Sequence, residues 1–146
     1  MITIDSLDIK FGIIPPKNFL AITFFGTIYI NKRNKEKWEN LSKYDKLITY
    51  NHEMIHLKQA KKEGSWIKYY CKYIWYWLRA IFLSCFNNDI AYYCNPYEIE
   101  AYLFQKNLSY NLKYNDRLKR IKISQLVNLK KSLNKEAFLE AIKAMY

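Results

Sequence analysis

A mainly helical α+β fold with a small β-sheet at its N-terminus is what this sequence predicts, on three observations. First, 51% of its 146 residues are hydrophobic while only three are glycine and three proline, a balance that favours an ordered chain with a real core. Second, Phe19 to Ile30 gathers aromatic and β-branched residues with little polar alternation and reads as a strand buried on both faces. Third, from Ser42 onward helix start and stop signals bracket successive apolar segments. One domain over residues 1–146 is expected at this length, closing in a basic helical tail from about residue 110.

The elements follow in order. Ile2 to Ile4 and Leu7 to Ile14 are short β-like runs, ended by Pro15-Pro16. Gly26, inside the strong strand, marks a bulge or a close approach of another chain. Asn31 to Glu39 is a charged connection. A helix from about Lys43 to Lys62 is capped by Ser42 with Asp45 and stopped at Gly64, and apolar residues surround more than half of it, as for an inner helix. Ser65 caps a second helix, Trp66 to Phe86, whose Lys68, Lys72 and Arg79 form a narrow stripe with Trp75. Its aromatic remainder predicts a buried scaffold helix, with a helix lying on a membrane surface as the alternative. Arg79 divides its best apolar run, which is too short to span a bilayer. Asn87-Asn88-Asp89 signals a turn, and Asn95-Pro96 starts a third helix with a cap and a proline at its first position. Ile123 to Lys131 and Lys135 to Met145 read as two further helices.

Charge and cysteines bound the function classes. The formal net charge is +11, and from Leu103 onward ten Lys or Arg face three acidic residues. A solvated basic surface accounts for this. Zinc-finger spacing, a nucleic-acid-binding aromatic signature and a recognition helix are all missing, which argues against nucleic acid. The N-terminus lacks signal-peptide features, and Cys71, Cys85 and Cys94 are odd in number without a C-x-x-C pair. Both observations lead us to expect reduced, mostly packed thiols in a cytoplasmic protein, in peripheral contact with a membrane if the second helix lies on one.

The chemistry is concentrated in Tyr50 to Leu57, which holds the pattern His-Glu-x-x-His. On a helix His52 and His56 stand one turn apart on one face, the separation at which two imidazoles reach one zinc ion, and Glu53 lies beside them where a general base belongs. The alternative is a pair of hydrogen-bonded core histidines. These are the only histidines in the chain, so a third donor must be a carboxylate or a cysteine such as Cys94. Glu98 and Glu100 lie on the third helix, about 200° apart around it, so only one of them can face an ion. Periodicity does not choose between them, and Glu98 is also placed as a capping-box partner of Asn95.

The segments Asn51 to Gln59 and Tyr97 to Tyr102, with the aromatic helix between them, resemble the gluzincin type of zinc metallopeptidase, and small bacterial zincin-like proteins more closely still. The resemblance covers about residues 19–105. It implies a zincin-like domain binding one zinc per chain through His52, His56 and the first Glu of Glu-x-x-Ala, Glu98, with Glu100 as second choice. It further implies peptide or protein substrates cut with Glu53 as general base, and a strand near Ala21 to Ile30 lying beside the cleft, able to pair with an extended peptide. Tyr92, Tyr93, Tyr97 and Tyr102 are the candidate oxyanion donors. One position departs from the family: Tyr102 stands where many gluzincins have Asp, so support for a histidine must come from elsewhere. The rival expectation is a non-catalytic zinc-binding protein whose basic, aromatic surface engages a membrane or an acidic partner.

Overall fold

The computed structural model describes residues 9–14, 18–113 and 115–145. Among them are three strands, β1 (Ile9–Gly12), β2 (Ala21–Phe24) and β3 (Thr27–Asn31). Eight helices follow: α1 (Lys35–Glu39), α2 (Lys43–Glu63), α3 (Trp66–Leu83), α4 (Asn88–Tyr93), α5 (Pro96–Phe104), α6 (Asn115–Arg120), α7 (Ile123–Ser132) and α8 (Lys135–Lys143). The fold is therefore α+β and mainly helical, with its small sheet near the N-terminus. The expected strand at Ile2 to Ile4 and the break at Pro15-Pro16 lie outside the described residues.

The run from Phe19 to Ile30 is a hairpin and not one strand. Phe25 and Gly26 take φ of +44° and +86°, the positive values that a two-residue hairpin turn requires at both central positions, and Phe24 pairs with Thr27 across it. Gly26 is thus a turn residue. β3 is central, with β1 parallel on one side and β2 antiparallel on the other. The sheet buries one face: Thr23, Ile28 and Ile30 point inward, while Phe24 and Phe25 are exposed.

The helix α2 starts and stops where its caps dictate. The Ser42 hydroxyl accepts the Asp45 N–H at 3.0 Å, and Gly64 closes the other end at φ +79°, a left-handed value that glycine adopts without a Cβ clash. It is an inner helix, packed against β2, α3 and α5. Its buried face is polar, however: Asn51, His52, Glu53, His56 and Gln59 lie there with Ile55 and Ala60.

Two expectations fail on α3. It ends at Leu83, where Cys85 and Phe86 turn left-handed. It is also not a buried scaffold: Tyr69, Ala80 and Ile81 alone are buried, while Ile67, Trp75 and Phe82 are 71%, 60% and 65% exposed. Lys68, Lys72 and Arg79 mark one polar edge, but apolar residues fill the rest of the circumference, and the helices packed against α3 covered one part of it and left another to solvent. Cys71, on the uncovered side of α3, and Cys85, beyond its end, are both exposed, and only Cys94 is packed.

The basic tail belongs to the main core. Phe138 and Ile142 of α8, Ile123, Leu126 and Val127 of α7 and Leu118 of α6 pack with Ala80, Ile81, Ala91, Cys94 and Ile99. The segment Asn31 to Glu39 is more than a connection, since it contains α1 with Trp38 buried, and the turn at Asn87 opens α4, which Asn87 caps.

At its end α2 is tied to three helices through Glu63, which accepts hydrogen bonds from Lys72 of α3, Tyr97 of α5 and Lys119 of α6. Burial alone would raise its pKa, but these three donors lower it from 4.5 to about 2. A depressed pKa contributes stability that is present above pH 4.5 and lost as pH falls through about 2. Glu63→Gln should therefore cost about 1–3 kcal/mol near neutrality. The gap between its melting curve and that of the wild type should narrow steadily from pH 5 to pH 2.5; a gap independent of pH would remove the charge from the explanation.

Candidate metal centre

The centre forms where α5 crosses α2. Proline at its first position and Asn95 as cap, accepting the Tyr97 N–H at 3.2 Å, set the entry of α5. The small Ala101 lies against Ile55 of α2, which lets the two helices approach closely. The rotation of α5 then separates its two glutamates. Glu98 faces α2, with Oε2 3.4 Å from His52 Nε2 and Oε1 3.4 Å from His56 Nε2. Glu100 faces the other way, accepting from the Tyr110 hydroxyl at 2.7 Å and from Gln59 Nε2 at 2.8 Å. The cap of α5 is closed through Asn95 and Tyr97, and the Glu98 carboxylate is left to the histidines.

The three side chains fit a metal ion. The two Nε2 atoms are 3.2 Å apart, so the donor atoms form a triangle with sides of 3.2, 3.4 and 3.4 Å. Tetrahedral ligands at about 2.0–2.1 Å from a common centre stand about 3.3–3.4 Å from one another. Each of the three residues offers one ligand atom, and all are buried. Glu98 Oε2 is a buried oxygen without a hydrogen-bond partner, the one such side-chain atom among the described residues. A buried carboxylate oxygen in that state is costly unless something cationic sits against it.

Neighbours orient the two imidazoles. His52 Nδ1 lies 3.2 Å from Gln105 Oε1, and His56 Nδ1 lies 2.8 Å from Gln59 Oε1 and 3.1 Å from the Tyr69 hydroxyl. Gln59 Nε2 donates to the Tyr97 carbonyl at 3.0 Å as well as to Glu100, two acceptors that fix which end of the amide meets His56. An Nδ1–H held by a glutamine oxygen leaves the Nε2 lone pair directed at the centre. The support that an Asp at position 102 would have given thus comes from Gln59 and Gln105. The Tyr73 hydroxyl donates to Glu98 Oε1 at 2.7 Å.

Burial works against charging His56, but the Glu98 carboxylate beside it outweighs this and raises its pKa to about 9. Burial alone would raise the Glu98 pKa; His56 and His52 hold it well below the usual carboxylate range. A cation entering there would displace a proton, and its apparent affinity would rise with pH up to about 9.

Glu53 lies beside the triad, its Oε2 accepting from the Thr23 hydroxyl of β2 at 2.8 Å. Two chambers meet at this point. One, of about 650 Å³, is lined by Asn18, Asp89, Tyr92, Tyr93 and Tyr102; the other, of about 370 Å³, is lined mostly by apolar atoms of Phe24, Tyr70, Ile74 and Trp77. Glu53, Ala21, Trp77 and Tyr92 line both. Of the tyrosines named from sequence, Tyr102 stands with its ring 4.6 Å from that of His52, and its hydroxyl is 3.4 Å from that of Tyr92. Burial raises the pKa of Tyr92, Tyr93 and Tyr102, so all three remain donors. Tyr97 does not belong with them: its hydroxyl is directed at Glu63, 2.7 Å away on the far side of α5. Cys94 sits in the main core with its thiol pushed up to about 12 by burial, away from the triad.

Sequence reading missed Thr23, Tyr69, Tyr73 and the role of Gln105, which reach the centre from β2, from α3 and from the end of α5. Comparison with protein-family models, curated proteins and solved structures returned no match.

Replacing Glu98 by Gln should lower divalent-metal affinity by about tenfold or more, because an amide is a poorer donor than a carboxylate. Glu100→Gln should disturb the melting temperature more than the affinity. Competition with a chromophoric chelator measures both, and a larger affinity loss at Glu100 would reverse the assignment.

Proposed function

We propose that this chain is a zinc-dependent peptidase of gluzincin type. The observation that carries the reading is the convergence of two imidazole Nε2 atoms and the Glu98 carboxylate within 3.4 Å of one another, with the Glu53 carboxylate next to them at the junction of two chambers. Zinc is favoured over other divalent ions by the donor set, since two imidazoles and one carboxylate with a position left open are a common catalytic zinc environment. Bound there, zinc would supply Lewis acidity toward a carbonyl and acidify a water in the cleft.

The remaining work falls to the side chains. Glu53, oriented by Thr23, accepts the proton of the attacking water and returns it to the leaving nitrogen. Tyr92 and Tyr102 line the larger chamber with their hydroxyls 3.4 Å apart, and these can donate to the oxygen that gains charge. β2 is an edge strand, and alternation from the hydrogen-bonded pair Phe24 and Thr27 turns the N–H and C=O of Ala21 and Thr23 away from β3. Thr23 C=O accepts from the Tyr70 hydroxyl at 3.2 Å, which leaves the Ala21 groups to pair with an extended substrate between the chambers.

Glu53→Gln should retain the fold and bind zinc while losing about 10²–10⁴-fold in hydrolysis, since the amide keeps the shape but accepts no proton. Peptide-library digestion followed by mass spectrometry, on protein of measured metal content, provides the test. Turnover equal to wild type in that variant removes Glu53 from the chemistry. Stoichiometric zinc with no hydrolysis by the wild type favours the rival reading of a non-catalytic zinc-binding protein.

A further inference from the structure

The outward side of α3 lies away from the metal centre, apart from Ile74, which also lines the smaller chamber. Along the helix, Ile67, Ile74, Leu78, Phe82 and Trp75 fall within a stripe of about 100°, and all are exposed. Lys68, Arg79 and Lys72 follow along one edge of that stripe, and α3 carries no acidic residue. The Arg79 guanidinium lies 6.0 Å from the Trp75 ring, so charge and aromatic surface occupy the same strip.

The hairpin tip extends the surface. Phe25 is 56% exposed, and its ring lies 5.4 Å from that of Tyr70 and 6.3 Å from that of Trp66, both on α3. Beyond the other end of the helix Phe86 is exposed and packs edge-on against Phe82 at 5.5 Å. Phe25 and Phe86 both stand at positive φ, where glycine or asparagine is the less strained choice. Large apolar side chains are therefore kept at the surface against backbone preference at both ends of the stripe.

We propose that this face of α3, with the hairpin tip, lies on an anionic lipid surface. An amphipathic helix with tryptophan and phenylalanine on one side and lysine and arginine along its edge has the chemistry of an interfacial helix. Among the described residues no helix is long and apolar enough to cross a membrane, so the contact is in the plane of the interface. Charge decides the occupant. A second copy of a chain carrying +11 would bring like charges of Lys68 and Arg79 together, whereas anionic headgroups neutralise them. The inference does not depend on hydrolysis or on bound metal.

Sedimentation with vesicles tests it, using phosphatidylcholine alone and with about 30% phosphatidylserine, near the ionic strength of about 0.15 M. The wild type should partition onto the anionic vesicles about tenfold or more over the neutral ones, with the difference shrinking in high salt. Trp75→Ser with Phe82→Ser should abolish binding without changing the melting temperature, because both side chains are already exposed. Lys68→Glu with Arg79→Glu, which removes no apolar side chain, should do the same and carries the test if the first variant folds poorly. Equal binding to both vesicle types, or no binding to either, overturns the proposal. So does a wild-type dimer in sedimentation velocity that the Ser variant converts to monomer, which would assign the face to a second copy.

Discussion

Everything near the centre depends on one constraint: the buried face of α2 is polar, and every group on it must find a partner. Asn51 Nδ2 donates to the Gln105 and Asn107 carbonyls at 2.7 and 3.1 Å, His52 and His56 each meet a glutamine oxygen, and Thr23 reaches Glu53. Left unpaired, such groups would each cost about 1–3 kcal/mol, so that a few of them together would match the whole margin of a small domain, about 5–15 kcal/mol. The sheet, α3 and α5 are therefore positioned by hydrogen-bonding demands as much as by apolar contact. The main hydrophobic cluster lies apart from this region, among α3 to α8, and supplies the cohesion that a polar interface cannot.

Within that scheme the two glutamates of α5 show how rotation assigns roles. Glu98 and Glu100 are both buried, yet the first completes the triad and the second holds Gln59 and Tyr110. Glu100 thus acts on His56 through an intervening amide, as a positioning residue with no reach to the centre itself. The same accounting explains why Glu98 Oε2 stands out as the atom without a partner.

What the sequence made legible was local. Ser42, Gly64, Ser65, Asn95 and Asn134 cap helices as their residue types predict, and His52, Glu53 and His56 follow from the spacing on one such helix. The choice of Glu98 came from resemblance, because neither periodicity nor capping separates it from Glu100. What was hidden depends on distant pairing. Thr23 joins Glu53 across thirty positions and Gln105 joins His52 across fifty-three, and neither residue type announces such a role. The hairpin was missed because Phe25-Gly26 lacks the usual Asn-Gly turn signal, and α1, α4 and α6 were missed because five or six residues do not establish a period. The aromatic helix α3 was misread because its composition says that it is sticky and not which side is covered.

The turn after α5 has a consequence for how the molecule is made. Residues 105–110 cross α2, where Lys58 donates to the Tyr110 carbonyl at 2.7 Å and Asn51 to the carbonyls of Gln105 and Asn107. Each of these bonds closes a loop of more than fifty residues, an entropy cost met before the contact returns anything. During synthesis α2 is finished long before the residues that satisfy its inner face have left the ribosome. The inner face of α2 can therefore find all its partners only once the chain through Tyr110 is available, so completing the centre requires segments more than fifty residues apart.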